Sequence, residues 1–525
     1  MSQQEQNRKL MRSTVDVAVP TMLSRVFGYI RDMLQAFFLG TSHSNDAYYI
    51  AFVIPNLLRR LFGEGAMTAA FVPVFTQLKK EKTKEEIWKF ANCFFYDLTM
   101  VMVVLTLLGI AAAPLLVKII ASGYGKVPGK WELTIILTRI MFPYMFLISL
   151  AALAMAILNS FRKFFIPAFT PVLFNLSIIT AAVFFARKAQ EPAYVFAVGV
   201  VIGGVLQLAI QIPSLWKLGM HFKFGMSFRH PAVRKVGRLM IPGIFGVGVT
   251  QINFMISRMI ASFLEEGSVT SLYYGTRIQE LTLGIFSIAF SIALLPTFSE
   301  QAAHNDTLSM KKTLSFSMRM INFITFPALV GLVLLNRPII QVLFERGKFT
   351  PESTAMTASC LLFLAFGLPF ISYVKILAPA FYSLKDTKTP VIVASIVMIS
   401  YISLSLILMG PMRVRGLALA LSISSVFNFI FLFWLLKKKI GKFEKMGLFV
   451  SAVKSMISSA GMGACLWILL HAFDLSAMVF IQKLGFLAFT VVLGMAVYVL
   501  LSWVFNRAEL ENVKGFLSRK KKRVE

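Results

Sequence analysis

The sequence predicts an all-α polytopic membrane protein with about 14 transmembrane helices, organised as two pseudo-symmetric six-helix lobes followed by two C-terminal helices. Three observations predict this class. Apolar residues make up 57% of the 525-residue chain, charged residues make up only 15%, and apolar stretches of spanning length recur along almost the whole chain. Soluble domains carry about 25% charged residues. A water-exposed surface could not accommodate so much apolar area, and the mean hydropathy of +0.74 agrees.

The predicted spans are each about 20 residues or longer, and short polar or Pro/Gly-containing breaks separate them. They are residues 17–39, 46–77, 90–113, 132–158, 167–186, 193–215, 236–263, 270–299, 314–335, 353–382, 389–409, 415–436, 447–472 and 482–505. The polar N-terminus lacks the short apolar core of a cleavable signal, so we expect the first span to be retained.

The basic residues predict the orientation of the chain. An even number of spans places both termini on one side, where the connecting segments hold 32 Lys and Arg residues, against 11 on the other side. By the positive-inside rule, both termini are cytoplasmic, and residues 506–525 form a basic cytoplasmic tail. The net charge of +29 would suggest nucleic acid for a soluble chain. In a membrane protein, topology and anionic lipid headgroups explain it better, so we expect membrane lipids and no nucleic acid as partners.

An internal repeat supports the two lobes. Three pairs of segments resemble each other at offsets of 223 to 225 residues: 36–50 with 261–275, the stretch ending at Gly123 with that ending at Gly347, and the stretch ending at Pro167 with that ending at Pro390. The lobes are therefore predicted at 17–216 and 236–437. Because six is even, the second lobe enters the membrane in the orientation of the first, which is a transporter architecture with the substrate site between the lobes. A duplication with a purely structural role is the alternative.

Ten cations lie within the predicted spans. They are Arg25, Arg31, Arg59, Arg60, Arg139, Arg258, Arg277, Arg319, Lys375 and Lys454. Each ionised side chain at the bilayer centre costs about 2.5–3.5 kcal/mol, so such residues should face a partner or a wet cavity.

Spacing separates these cations into paired and unpaired groups. Arg60 and Glu64 are four residues apart, which favours a local salt bridge, and Arg277 and Glu280 are three apart. Arg59 lacks such a partner, and the repeat places its region opposite that of Arg277, so both are expected to face a central cleft. A cationic cleft suits phosphate oxygens. A set of inter-helix ion pairs is the alternative.

The sequence lacks the patterns of several catalytic classes. No two Asp residues lie within three positions of each other, no P-loop is present, and the three cysteines are scattered. We therefore predict no enzyme activity, no metal site and no bound cofactor, with membrane potential or an ion gradient as the driving force.

Four stretches resemble the MurJ (MviN) family of lipid II flippases, which belongs to the multidrug/oligosaccharidyl-lipid/polysaccharide exporter superfamily. They are SRVFGYIRD, NDAYYIAFVIPNLLRRLFGEGAMTAAFVPVF, GSVTSLYYGTRIQE with LLPTFSE, and LAPAFYSLKDTKTP. The resemblance covers about residues 17–505. It implies a central cationic cavity, a lipid-tail groove formed by the helices of 447–505, and transport of lipid II to the outer leaflet for peptidoglycan synthesis. It also implies a monomer in the bacterial inner membrane that works beside the cell-wall synthesis machinery.

The resemblance also assigns residues. Arg25, Arg31, Arg59 and Arg277 match the family's cavity arginines, with Asp32 beside them, and Asp46, Thr270 and Glu280 match its extracytoplasmic gate. Thr276 stands where the family often has an acid, which makes the cavity more positive.

Three other functions remain open from the residues alone. A flippase for another polyprenyl-diphosphate glycan, such as an O-antigen unit, would need nearly the same cavity. A multidrug exporter of the same superfamily is disfavoured, because the cavity arginines would repel a cationic drug. A membrane enzyme that uses polyprenyl donors is disfavoured by the missing paired carboxylates and the lack of a large loop.

Overall fold

The computed structural model describes residues 3–58, 67–441, 447–473 and 478–512. Over these ranges the backbone forms helices joined by turns and short coils, with no β-strand. The all-α fold class predicted from the sequence is confirmed.

The chain divides into two compact units. The first comprises Met1–Thr270 with Arg346–Phe349, and the second comprises Ser271–Glu345 with Thr350–Glu525. The lobe boundaries drawn from the internal repeat stay a prediction.

Among its described residues, the first unit contains eleven helices and one 3₁₀ turn, with the first residues of the next helix, Ser268–Ala303. In chain order they are α1 (Gln3–Leu39), α2 (His43–Leu58), α3 (Met67–Glu81), α4 (Lys84–Ala111), α5 (Ala113–Ile120), the 3₁₀ turn Ser122–Lys126, α6 (Lys130–Met141), α7 (Pro143–Ser160), α8 (Phe165–Phe185), α9 (Pro192–Ala209), α10 (Ile212–Lys217) and α11 (Pro231–Ala261). Helix α8 packs against α1 and α9, α2 packs against α6, and α11 packs along α3.

Among the described residues, the second unit contains most of α12 and the seven longer helices that follow it. They are α12 (Ser268–Ala303), α13 (Thr307–Phe344), α14 (Pro351–Ala365), α15 (Leu368–Ser383), α16 (Lys388–Met412), α17 (Val414–Ile440), α18 (Leu448–Ala472) and α19 (Phe480–Phe505). Helix α16 packs against α17, and α18 packs against both α13 and α19.

Nine helices among the described residues are long and apolar enough to cross a membrane, counting α6 with α7 and α9 with α10 as single spans. The pair α14 and α15, bent by 46°, makes a tenth if it is one span. Each predicted span is helical over most of its described residues, although 46–77 is covered by α2 and α3 with residues 59–66 outside the described ranges. The chain is therefore a multi-pass membrane protein, and the count of 14 stays a prediction.

Local sequence explains where several helices begin. Thr83 caps α4 by accepting a hydrogen bond from the Glu86 backbone N–H, while the Glu86 carboxylate accepts one from the Thr83 N–H. Helices α7, α9 and α15 each have a proline in the first turn: Pro143, Pro192 and Pro369. Backbone N–H groups in the first turn have no partner within the helix, so a proline removes no helical hydrogen bond there.

The two C-terminal helices pack onto α13 through polar as well as apolar contacts. The Tyr498 hydroxyl donates to the Phe323 carbonyl oxygen at 2.7 Å, and Asn506 Nδ2 donates to Ser455 Oγ at 2.9 Å. A Cβ on Gly463 would lie 2.8 Å from Val330 Cγ1, so the small residue allows close approach of α18 to α13. The lipid-tail role of residues 447–505 stays a prediction.

Candidate functional site

Asp46 lies at the centre of a buried polar cluster in the first turn of α2. Its Oδ1 accepts hydrogen bonds from the Thr270 N–H at 2.9 Å and the Thr270 hydroxyl at 2.7 Å, and its Oδ2 accepts one from the Gly267 N–H at 2.9 Å. The fourth donor is Lys130 Nζ, 2.9 Å from Oδ2. Four donors and the N-terminal dipole of α2 stabilise the ionised carboxylate.

Lys130 is the member of this cluster that sequence reasoning missed. Its side chain is 3% exposed, and its Nζ lies 4.0 Å from the Tyr124 ring centroid, so a cation–π contact supplements the ion pair. Burial raises the pKa of the Tyr124 hydroxyl well above its usual value. The sequence assigned Lys130 to a connecting segment as an ordinary topology-determining cation. Its only distinguishing signal was its place directly before an apolar run.

Two close backbone approaches beside this cluster follow the internal repeat. A Cβ on Gly123 would lie 2.2 Å from the Ser262 carbonyl oxygen, and a Cβ on Gly347 would lie 2.4 Å from the Phe37 carbonyl oxygen. Gly347 follows Gly123 by 224 residues, and Ser262 follows Phe37 by 225, so each contact is the repeat counterpart of the other. These contacts support the repeat as a three-dimensional relationship and explain glycine at both positions.

A second polar cluster joins α1 to α8. Arg31 Nη2 lies 2.7 Å from Asp32 Oδ1, and Arg31 Nη1 donates to Asn175 Oδ1 at 3.2 Å. Asn175 Nδ2 in turn donates to the Ser24 carbonyl oxygen at 3.1 Å. The Asp32 side chain is fully buried, and that of Arg31 is 14% exposed. Asn175 therefore orients the guanidinium, and its only sequence signal was an amide within an apolar stretch.

Arg277 and Glu280 form a looser pair on α12. Arg277 Nη1 lies 3.9 Å from Glu280 Oε2, and the side chains are 31% and 44% exposed. Lys375 on α15 also interacts electrostatically with Glu280, so this single carboxylate faces two cations. The Thr276 hydroxyl donates to the Leu272 carbonyl oxygen of the preceding turn, at 2.7 Å. Arg277 and Lys375 therefore share Glu280, and the more positive cavity stays a prediction.

The remaining predicted site residues have different outcomes. Arg25 is exposed on α1. Arg59, Arg60 and Glu64, including the predicted Arg60–Glu64 pair, lie outside the described residues. Of the predicted gate residues, Asp46 and Thr270 are brought into contact, whereas Glu280 pairs with Arg277. The binding and gating roles of all these residues stay predictions.

The described part of the chain has no group of three or more His, Cys, Asp or Glu side chains that could hold a metal ion. The polar chemistry of its clusters consists of guanidinium, ammonium, amide and hydroxyl donors paired with single carboxylates. Guanidinium and ammonium groups of this kind can bind anionic oxygens.

The lipid II flippase MurJ family model matches residues 35–495. The chain belongs to this family. A probable lipid II flippase MurJ of Vibrio cholerae is 37% identical over 440 residues, which is 81% of this chain and 83% of the relative.

Two solved structures agree with the fold. A lipid II flippase MurJ in an inward closed conformation superposes with a TM-score of 0.79 at 29% identity, covering 94% of this chain and 99% of that one. An inward-facing MATE family multidrug transporter of the MOP superfamily has a TM-score of 0.68 at 14% identity, covering 82% of this chain and 98% of that one, and shows a shared fold alone. The family predicted from the sequence motifs is confirmed.

Proposed function

We propose that this protein carries lipid II, the undecaprenyl-diphosphate-linked peptidoglycan precursor, from the inner to the outer leaflet of the bacterial cytoplasmic membrane. The family match over residues 35–495 is the observation that carries this proposal. A diphosphate bearing sugars and a peptide cannot cross hydrocarbon unaided, because its charged groups would lose their hydration. No covalent step is needed, so the protein acts as a transporter and not as an enzyme.

The diphosphate is bound by arginines of a central cavity. Arg31 is oriented by Asp32 and Asn175, and Arg277 shares Glu280 with Lys375. A guanidinium fork matches two phosphate oxygens at once, so oriented arginines favour a diphosphate over a single carboxylate. Arg25 and Arg59 are assigned to the same cavity by their family motifs.

The Asp46 cluster closes the path to the outer side. Opening requires Asp46 to give up three hydrogen bonds, two from Thr270 and one from Gly267. The Lys130 pair joins α2 to α6, which pack together, so it can persist while those bonds break. The Asp46 carboxylate then keeps its Lys130 counter-charge in the closed and in the open conformation. Opening therefore breaks only hydrogen bonds that water can replace.

Membrane potential or an ion gradient drives the cycle. A net-positive cavity that moves within the field changes in energy by about 2.3 kcal/mol per charge per 100 mV. Lipid II exposure should therefore stop when the potential is collapsed at constant ATP, and continued exposure would reject a voltage drive. The protein works as a monomer with both termini in the cytoplasm, and the cell-wall synthesis machinery is its partner class.

The deciding experiment is replacement of the essential flippase in bacterial cells by this chain, with lipid II exposure assayed from outside. We expect growth and exposure to be restored, and Arg187→Ala, at an exposed residue between α8 and α9, should leave both intact. If the protein reaches the membrane in normal amount but restores only O-antigen export, the substrate is another polyprenyl-diphosphate glycan.

A further inference from the structure

The segment between α10 and α11 has a side-chain pattern that the transport mechanism does not use. Residues 220–227 form neither helix nor strand, and every second residue of 220–228 is apolar. These apolar residues are Met220, Phe222, Phe224, Met226 and Phe228. A period of two is typical of an extended chain with one apolar side and one polar side.

Two buried polar side chains of α4 hold the backbone of this segment. Asn92 Nδ2 donates to the His221 carbonyl oxygen at 3.0 Å, and Asn92 Oδ1 accepts from the Lys223 N–H at 3.3 Å. Further along, Asp97 Oδ1 accepts from the Ser227 N–H at 3.1 Å. Asn92 is 6% exposed and Asp97 is 3% exposed. The segment is therefore fixed onto the protein through its main chain.

From Phe224 onward, the apolar side chains of this fixed segment are exposed. Met220 is buried, whereas Phe224 is 79% exposed and Phe228 is 47% exposed. The Phe222 ring contacts Phe95, with centroids 5.0 Å apart. At one edge of the α4 surface, Tyr96 contacts the Phe224 ring, with centroids 5.1 Å apart. An ordered backbone that presents uncovered phenylalanines needs an apolar environment outside the protein.

The charged residues around the segment all have one sign. From residue 217 to residue 238 the chain has no Asp or Glu, and its six cations are exposed. They are Lys217, Lys223, Arg229, Arg234, Lys235 and Arg238. Trp216, half exposed at the end of α10, is a residue type enriched where a membrane meets water. Exposed aromatic groups beside exposed cations complement the acyl boundary and the phosphates of an anionic leaflet.

We propose that residues 220–229, the interfacial segment, bind the membrane surface. Phe224, Met226 and Phe228 insert at the boundary of the headgroups and acyl chains, and Lys223 and Arg229 bind phosphates of anionic phospholipids. The position along the chain supports a lipid partner, because α10 ends one candidate span and the segment lies on α4, which is another. The proposal is independent of the transported substrate.

The depth of Phe224 tests the proposal. Cys93, Cys360 and Cys465 are replaced by alanine, Phe224→Cys is labelled with a nitroxide, and the full chain is placed in nanodiscs of phosphatidylcholine with or without an equal amount of phosphatidylglycerol. We expect the label to be more accessible to oxygen than to a water-soluble nickel chelate. The matched site is His221→Cys, on the polar side of the same segment, where the order should reverse.

The role of the charges is tested in the same samples. Phosphatidylglycerol should move the Phe224→Cys label deeper, and Lys223→Glu with Arg229→Glu should remove that response. Arg187→Glu with Lys188→Glu, an exposed cation pair in another connection, should leave it intact. Elution as a single monodisperse peak checks folding of each variant. A label more accessible to the nickel chelate in both lipid mixtures overturns membrane insertion, because Phe224 would then lie in water. A response to phosphatidylglycerol that survives charge reversal overturns phosphate binding by Lys223 and Arg229.

Discussion

Lys130 Nζ lies 2.9 Å from Asp46 Oδ2, and the two side chains are 3% and 1% exposed. This ion pair connects the first turn of α6 to the first turn of α2. An isolated carboxylate at such a site would have to become neutral or gain water. Lys130 gives Asp46 a counter-charge, and Asp46 holds the turn between α11 and α12 by accepting hydrogen bonds from Gly267 and Thr270.

Lys130→Met should destabilise the protein by about 3–5 kcal/mol, because it leaves the buried Asp46 carboxylate without its counter-charge. Asp46→Asn combined with Lys130→Met should be less destabilised than Lys130→Met alone, since no charge is then buried. Denaturant unfolding of the purified protein in detergent measures both. Lys118→Met, at an exposed lysine of α5, should change stability by no more than about 0.5 kcal/mol. Equal stability of the Lys130 and Lys118 variants would show that the pair is not a stabilising counter-charge.

Gly123→Ala should destabilise the first unit by about 1–3 kcal/mol, because the new methyl group would meet the Ser262 carbonyl oxygen. Gly347→Ala should do the same at Phe37, with added strain from its φ of +60°. Gly125→Ala is the matched control in the same 3₁₀ turn, where a Cβ would meet nothing within 4 Å. Thermal unfolding compares the three variants. If Gly123→Ala is as stable as Gly125→Ala, the close approach is not a constraint.

Sequence patterns predicted the features that follow from the hydropathy of a segment and from the spacing of residues along it. Apolar runs predicted the helices, and family motifs predicted that Asp46 and Thr270 belong together. The patterns missed Lys130 and Asn175, because the partners of both lie far away in the chain: Asp46 is 84 residues from Lys130, and Arg31 is 144 from Asn175. A single lysine beside an apolar run looks like a topology-determining cation until packing shows that it is buried. The breaks between α6 and α7 and between α14 and α15 divide predicted single spans, and Pro143 and Pro369 at those breaks account for them.

Acid should weaken the contact between Asp386 and Lys439. The Lys439 ammonium and then the Thr389 N–H lower the pKa of Asp386 to about 2, from an unfolded value of about 3.9. Because the folded pKa is the lower one, the stabilisation is present above about pH 4 and is lost as the pH falls towards about 2. Lys439 is 40% exposed, so solvent screening limits the contribution to about 1 kcal/mol.

Asp386→Asn should therefore cost about 1 kcal/mol near neutral pH and nearly nothing at about pH 2. Unfolding midpoints measured over this pH range for both proteins give the difference directly. Glu352→Gln, at an exposed carboxylate in the first turn of α14, is the control for general acid sensitivity. If the stability of Asp386→Asn stays below that of the unchanged protein by a constant amount down to about pH 2, the loss comes from the hydrogen bonds to Thr389 and not from the charge.

Reporter fusions should reveal the orientation of the chain. The 32 to 11 distribution of basic residues predicts cytoplasmic reporters after Lys80 and Lys312, and external reporters after Lys188 and Arg413. Paired alkaline phosphatase and fluorescent protein fusions at each site measure the side. The Lys80 and Lys188 fusions are predicted to lie on opposite sides of the membrane, so they serve as controls for each other. One reversed reporter within the chain would contradict the 14-span arrangement.

Arg277→Ala should abolish lipid II exposure while leaving the amount of protein in the membrane unchanged. Removing a charge from a span eases insertion, and the 3.9 Å contact with the partly exposed Glu280 adds little stability. Arg277→Lys should retain partial activity at best, because an ammonium cannot form the two parallel hydrogen bonds of a guanidinium fork. Arg139→Ala, which removes an exposed guanidinium from α6, is the matched control and should support normal exposure.

The pair of Arg277 variants separates binding of the diphosphate from a structural role. A clamp that needs the fork loses activity in both variants. A structural ion pair behaves differently, because Arg277→Lys would preserve the charge contact and full activity. Complementation at normal expression, together with lipid II exposure, distinguishes the two patterns. Full complementation by Arg277→Ala would exclude the diphosphate clamp, because loss of a fork that binds the diphosphate must reduce transport by a measurable amount.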